Sequence, residues 1–166
     1  MFGVTHFFVF IYIVVYPFTL WFTPLYLLLK NDKKAMKNLA WGLLLIYIFA
    51  LPFYLLLPIT NVYTFYNIDS ALETAIPGIE QFFYNATTYN NCLPSLHTAV
   101  SILIAYVGGF TGNKKYALFT KTCMILVITA VIYLSIHWLL DVIAGVALAL
   151  AVILILKKYF NRKTLV

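Results

Sequence analysis

Charge is what this chain has least of. Only 10% of its 166 residues are Asp, Glu, Lys or Arg, against roughly a quarter in soluble proteins, while 64% are hydrophobic. That balance excludes a water-soluble domain and reads as an integral membrane protein. No Lys or Arg occurs between Lys37 and Lys114; all eleven basic residues fall within 30–37, 114–121 and 157–163. The net charge of +6 is therefore no nucleic-acid-binding face. It sits in loops and a tail beside apolar runs, the positive-inside pattern, with anionic cytoplasmic lipid headgroups as the expected partner. Cysteine is scarce too: Cys92 and Cys123 are expected near opposite membrane faces. A disulfide needs α-carbons within about 7 Å, so none is expected. The first apolar segment is too long, and too poor in a small-residue cleavage site, for a removable signal peptide.

What is present is apolar length. At roughly 20 residues per spanning helix, the chain has room for about five spans, expected at 7–29, 38–58, 94–110, 116–136 and 137–156, in one all-α domain over 1–166. Pro17, Pro24 and Pro52 lie inside the first two and are expected to kink them. If the three basic stretches face the cytoplasm, the N-terminus is outside and the C-terminus inside, in a plasma or cytoplasmic membrane. The one long connection, 59–93, lies outside and carries Asp69, Glu73 and Glu80. Ser70-Ala-Leu-Glu73 has the form of a capping box, with Pro77-Gly78 ending the short helix it starts. Tyr63, Phe65, Tyr66, Phe82, Phe83, Tyr84 and Tyr89 suit a membrane interface, and the loop reads as a partial cover. Asn85-Ala-Thr87 is a glycosylation sequon, meaningful only in a glycosylating host. His6 reads as interfacial, since nothing at metal-ligand spacing accompanies it.

Two polar islands interrupt the apolar runs. In the first, His137 and Asp141 stand four residues apart. In a helix they would share a face, so the carboxylate could reach the imidazole, and an ionisable pair in a membrane segment is by default a functional site. In the second, residues 90–98, Pro94 reads as a first helical residue, whose free N–H groups attract anions. The membrane topology places His97 and the His137–Asp141 pair, about forty residues apart, at the same outer face.

Pro94-Ser95-Leu96-His97 and His137-x3-Asp141 resemble the second (P-S-x-H) and third (S-R-x5-H-x3-D) signatures of the type 2 phosphatidic acid phosphatase superfamily. The resemblance covers spans two to five. It implies a phosphatidic acid phosphatase/vanadium haloperoxidase-like helical bundle, no metal and no cofactor. It also implies roles: His137 the nucleophile that becomes phosphohistidine, Asp141 its orienter, His97 the general acid and then base. Ser95, with the N–H groups of 94–97, is implied to hold phosphate oxygens.

Three cations of the family pattern are missing. Ala130-Val131 stand where the third signature has Ser-Arg, and the first signature, K-x6-R-P, does not occur. Removing one preorganised oxyanion donor costs about 3 to 4 kcal/mol in the barrier, so either neutral donors and a helix N-terminus replace the clamp, or the site binds more than it catalyses. A divalent cation held by the acidic loop is a third route, set against the superfamily's metal independence. The inositol phosphorylceramide synthase-like branch is the more similar one, because it too keeps H-x3-D without Ser-Arg. The expected function is cleavage or transfer of a membrane lipid phosphoester at the extracytoplasmic leaflet, as phosphatase or headgroup phosphotransferase. The alternative is a catalytically degenerate homologue that binds or moves lipid.

Overall fold

The computed structural model describes residues 2–84 and 90–159. Among these the chain is helical, with no strand and one isolated bridge, Ile59 with Asn91. Helix α1 (Phe2–Phe10) passes through a π-helical turn, Ile11–Val15, into α2 (Tyr16–Leu29). Next come α3 (Lys33–Leu56), the short loop helices α4 (Val62–Tyr66), α5 (Ala71–Ala75) and α6 (Ile79–Tyr84), then α7 (Leu96–Gly108), α8 (Lys114–Tyr133) and α9 (Leu139–Tyr159).

Local chemistry sets these boundaries. Pro17 lacks an N–H and would clash one turn back, and the widened π turn immediately before it relieves both problems. After Leu29, Asn31 takes a left-handed conformation (φ 53°), and the N–H groups of Asn31 and Asp32 bond to the Leu28 and Leu27 carbonyls, a Schellman ending. Asp32 at once caps α3 by accepting from Ala35 N–H at 2.9 Å, so that helix begins five residues before the expected 38.

Among the described residues, four stretches are long and apolar enough to cross a membrane: Gly3–Leu29, Lys33–Leu56, Lys114–Tyr133 and Leu139–Tyr159. The third expected span, 94–110, is represented by α7, which has 13 residues and is therefore only about 20 Å long. Nine of the thirteen are buried, because α7 lies at the centre and packs on α2, α3, α8 and α9. A helix walled off from lipid has no need to match its thickness. Leu27, Leu39, Ile46, Leu103, Val107 and Val152 form the main core among these helices. Large apolar side chains cover the outside, Trp21 being 76% exposed, as expected of a surface whose solvent is hydrocarbon. Between α2 and α8 a polar chain replaces apolar packing: Tyr116 donates to Thr23 Oγ1 (2.9 Å), which donates to the Thr19 carbonyl (2.6 Å).

The bundle has two unlike ends. Lys34 lies over the Phe110 ring (5.8 Å) and Lys157 over Tyr106 (5.7 Å), and Asn113 donates to Tyr26 Oη (3.0 Å). The end of α2, start of α3, end of α7, start of α8 and end of α9 thus gather at one basic end. At the other end lie the starts of α7 and α9, the ends of α3 and α8, and the described parts of the loop, 57–84 and 90–95. That loop folds down over them: Tyr63 and Leu72 are buried against Val9, Leu134 and Ile136. The expected capping box is half formed. Ser70 Oγ accepts from Glu73 N–H (3.0 Å), but the Glu73 carboxylate turns to the N–H groups of Gly78 (2.7 Å) and Glu80 (3.3 Å), and Ser70 donates to Glu80 Oε2 (2.6 Å). The sequon at 85–87 and Tyr89 lie outside the described residues, as do the side chains of Phe82, Phe83 and Tyr84.

Candidate active site

His137 is not on a helix. Helix α8 stops at Tyr133 and α9 starts at Leu139, so both boundaries depart from the expected 136 and 137. Ser135 takes the left-handed conformation (φ 56°). Its N–H bonds to the Ile132 carbonyl, and those of Ile136 and His137 both bond to the Val131 carbonyl. This is a second Schellman ending, and it fixes the backbone of His137. Asp141, in the first turn of α9, accepts from Trp138 N–H at 2.9 Å, reaching back to the residue that caps its helix as a capping-box acid does. The i,i+4 approach of Asp141 to His137 comes from this cap, not from a shared helical face.

His97 is the second residue of α7. Pro94, expected as the first helical residue, instead precedes the N-cap, which is Ser95; the bond before Pro94 is cis. Ser95 Oγ, wholly buried, accepts from Thr98 N–H (3.3 Å) and lies 3.1 Å from Thr98 Oγ1. Its hydroxyl holds the turn rather than lining open space. Its own N–H donates to the Asp141 carbonyl at 3.0 Å, a backbone bond that locks the two motif segments together. The approach requires Gly145, since a Cβ there would stand 2.6 Å from the Ser95 carbonyl oxygen. Tyr54, near the end of α3, donates to the Pro94 carbonyl at 2.7 Å.

His97 and His137 thereby meet. His97 Nδ1 is 3.1 Å from His137 Nε2, and His137 Nδ1 is 3.5 Å from Asp141 Oδ2. The second separation is an electrostatic pairing, too long for a good hydrogen bond, and His137 Nδ1 is a buried nitrogen without a hydrogen-bond partner. The carboxylate favours a proton on Nδ1. That leaves the Nε2 lone pair to accept from His97 Nδ1–H. Asp141 is almost entirely buried and accepts from the Trp138 N–H in the first turn of α9.

Around this pair the walls are aromatic. The rings of Tyr12 and Tyr16 lie 5.0 and 4.7 Å from that of His97. Trp138 donates to the Thr60 carbonyl (2.9 Å) and packs on Phe65 and Tyr66 of the loop. Nothing in the sequence marked Tyr12 and Tyr16, two tyrosines in an aromatic, apolar run. Cys92 Sγ approaches the Ile136 carbonyl at 3.8 Å, and burial, then the charge of Asp141, push its thiol up to about 12. Cys92, His137 and Asp141 offer donor atoms within 4.8 Å of one another and are the residues here that could hold a metal, provided the thiol ionised. Cys123 is buried halfway along α8 rather than at a membrane face.

A hydrogen-bonded histidine pair with a buried carboxylate behind one ring has the chemical capacity for proton transfer and for nucleophilic attack by an imidazole nitrogen. No curated protein and no solved structure gives a match to the chain. A family model does: that of the PAP2 superfamily matches residues 3–155. It takes in His97, His137 and Asp141, and the chain belongs to the PAP2 (type 2 phosphatidic acid phosphatase) superfamily.

Proposed function

We propose that this protein is a membrane enzyme that cleaves or transfers a lipid phosphoester through a phosphohistidine on His137. The observation that carries the reading is the 3.1 Å contact between His97 Nδ1 and His137 Nε2, with Asp141 behind the second ring. His137 Nε2 attacks phosphorus and the bond from phosphorus to the leaving oxygen breaks. His97, entering the step as the imidazolium, delivers a proton to that oxygen and is left neutral. In the second half His97 takes the proton of the acceptor, water or a lipid hydroxyl, whose oxygen displaces His137. Asp141 steadies the imidazolium-like charge throughout. A phosphoryl group entering between the rings must part them. Ser95 supports the site by capping α7, leaving the Leu96 and His97 N–H groups to face phosphate oxygens. Apolar outer walls favour a lipid substrate. The basic residues gather at the opposite end of the bundle, which favours an extracytoplasmic site with the N-terminus outside. Within the superfamily we place the chain nearest the inositol phosphorylceramide synthase-like branch, on H-x3-D without Ser-Arg.

One observation favours a second reading, a catalytically degenerate homologue that binds or moves lipid: no Lys or Arg occurs between Lys37 and Lys114. The discriminating measurement is phosphate release and headgroup transfer from a panel of lipid phosphoesters by the protein in detergent, beside His137→Ala. The enzyme loses turnover in the variant, and acid-labile phosphate is trapped on the wild type alone. Absence of turnover with lipid binding intact in both proteins selects the second reading.

A further inference from the structure

Cys92, His137 and Asp141 come from two segments of the chain, yet each brings a donor atom within 4.8 Å of the others, and all three are buried. Their backbones are held in place. Cys92 N–H donates to the Ile59 carbonyl (3.2 Å), His137 N–H to that of Val131 (3.2 Å), and Ser95 N–H to that of Asp141 (3.0 Å). His137 Nδ1 is a buried nitrogen without a hydrogen-bond partner, although Asp141 Oδ2 stands only 3.5 Å away. That separation is too long for a good hydrogen bond but suits an ion shared between the two atoms: ligands each about 2.1 Å from a tetrahedral zinc lie about 3.4 Å apart.

We propose that Cys92 Sγ, His137 Nδ1 and Asp141 Oδ2 form a site for a zinc ion, and that its occupancy switches off the nucleophile. The inhibition rests on the phosphohistidine reading; the site itself does not. A thiolate and a carboxylate carry two negative charges, which a divalent ion cancels, so the loaded site is neutral where dielectric screening is weak. The thiol gives its proton to solvent as the ion binds. Thiolate and imidazole select zinc over magnesium and calcium, which take oxygen ligands. Three protein ligands leave the fourth position to water.

The inhibition follows from the tautomer. In the metal-free site the carboxylate favours a proton on Nδ1 and a lone pair on Nε2. An ion on Nδ1 takes that nitrogen's lone pair, and the neutral ring then carries its proton on Nε2, the atom that attacks phosphorus in the proposed reaction. His97 Nδ1, 3.1 Å away, meets an N–H in place of a lone pair.

The test uses the full chain in detergent, stripped with a chelator and titrated with Zn²⁺, with Co²⁺ as the spectroscopic probe. Wild type is expected to bind one Zn²⁺ that Mg²⁺ and Ca²⁺ do not displace, and its Co²⁺ form to show a thiolate-to-metal charge-transfer band. Cys92→Ala and Cys92→Ser are expected to lose the band and at least about 10²-fold in Zn²⁺ affinity. Cys123→Ala, at the other cysteine, keeps both. Melting of each variant without metal identifies any that fails to fold, and the wild-type and Cys123→Ala spectra decide the site in that case. Binding equal in wild type and a folded Cys92 variant, or Co²⁺ bound without a thiolate band, overturns the site. Nitrogen-15 spectra of histidine-labelled protein read the tautomer: Zn²⁺ is expected to move the His137 proton from Nδ1 to Nε2, and an unmoved proton overturns the switch. Turnover is expected to fall as the site fills and to return with chelator, each variant being scored against its own metal-free rate; full turnover with Zn²⁺ bound also overturns the switch. If wild type shows no turnover even without metal, the phosphohistidine reading fails, while stoichiometry, the Co²⁺ band and the tautomer still decide the site.

Discussion

Capping α9 and, in the proposed mechanism, orienting the His137 ring fall to one oxygen, Asp141 Oδ2. Asp141→Asn keeps an acceptor for the Trp138 N–H but withdraws the charge behind the imidazole. Activity is expected to fall about 10² to 10⁴-fold, while thermal stability changes by less than about 1 kcal/mol; parallel turnover and melting measurements check this. Cys92 responds to the same carboxylate. Its thiol is raised from 9.0 to about 12 by burial and then by Asp141, so the folded state holds the proton more tightly than the unfolded one. The sign follows: the stability is fully present below pH 9.0 and is lost as pH rises towards about 12. Alkaline unfolding in that window should therefore move to higher pH in Cys92→Ala, read by circular dichroism across a pH series. That His97 meets the His137–Asp141 pair was legible in the sequence: the four-residue spacing marked the pair, and the P-S-x-H resemblance with the membrane topology brought His97 to the same face. The capping duty of Ser95 was legible in principle from its residue type, but the P-S-x-H resemblance drew it towards phosphate.

At the scale of the element, Gly145 decides how closely α9 lies against the α7 turn. A methyl group there would meet the Ser95 carbonyl oxygen at 2.6 Å and the Thr98 Cβ at 3.0 Å, and the backbone on both sides has little room to yield. Gly145→Ala is expected to push the starts of α7 and α9 apart, break the bond from Ser95 N–H to Asp141 and cut turnover at least as severely as Asp141→Asn, with helix content unchanged. Turnover and circular dichroism together check it. Apolar length and loop chemistry made most elements legible: the long helices, the Ser70 cap and the loop over the site. Backbone detail did not show. The π turn before Pro17 and the left-handed Ser135 carry no periodic signal, because a uniformly apolar run presents the same pattern to a 3.6-residue and a 4.4-residue turn. The His137–Asp141 spacing suggested a shared helical face for the same reason, since four residues also fit a cap reaching backwards.

For the molecule as a whole, the separation of the basic residues from the histidines was already present in the linear sequence, and the antiparallel helices turn it into two ends of one bundle. Missing from the linear order was that the middle apolar segment is the short, enclosed one. Helix α7 carries His97 at one end and meets the basic end at the other, and its 13 residues measure about 20 Å. The 14 residues of α2, from Tyr16 beside His97 to the basic end, give about the same length. A bilayer's hydrocarbon core is about 30 Å thick. With the basic end at the headgroups of one leaflet, the histidines stop about 10 Å short of the opposite boundary, at the depth of acyl chains. A lipid phosphate must sink to that level, or the bilayer must thin around the protein to bring the phosphate down. Turnover in proteoliposomes should therefore climb as the acyl chains of the host lipid are shortened, and the thickness of the surrounding membrane becomes a control on the rate that no residue of the site supplies.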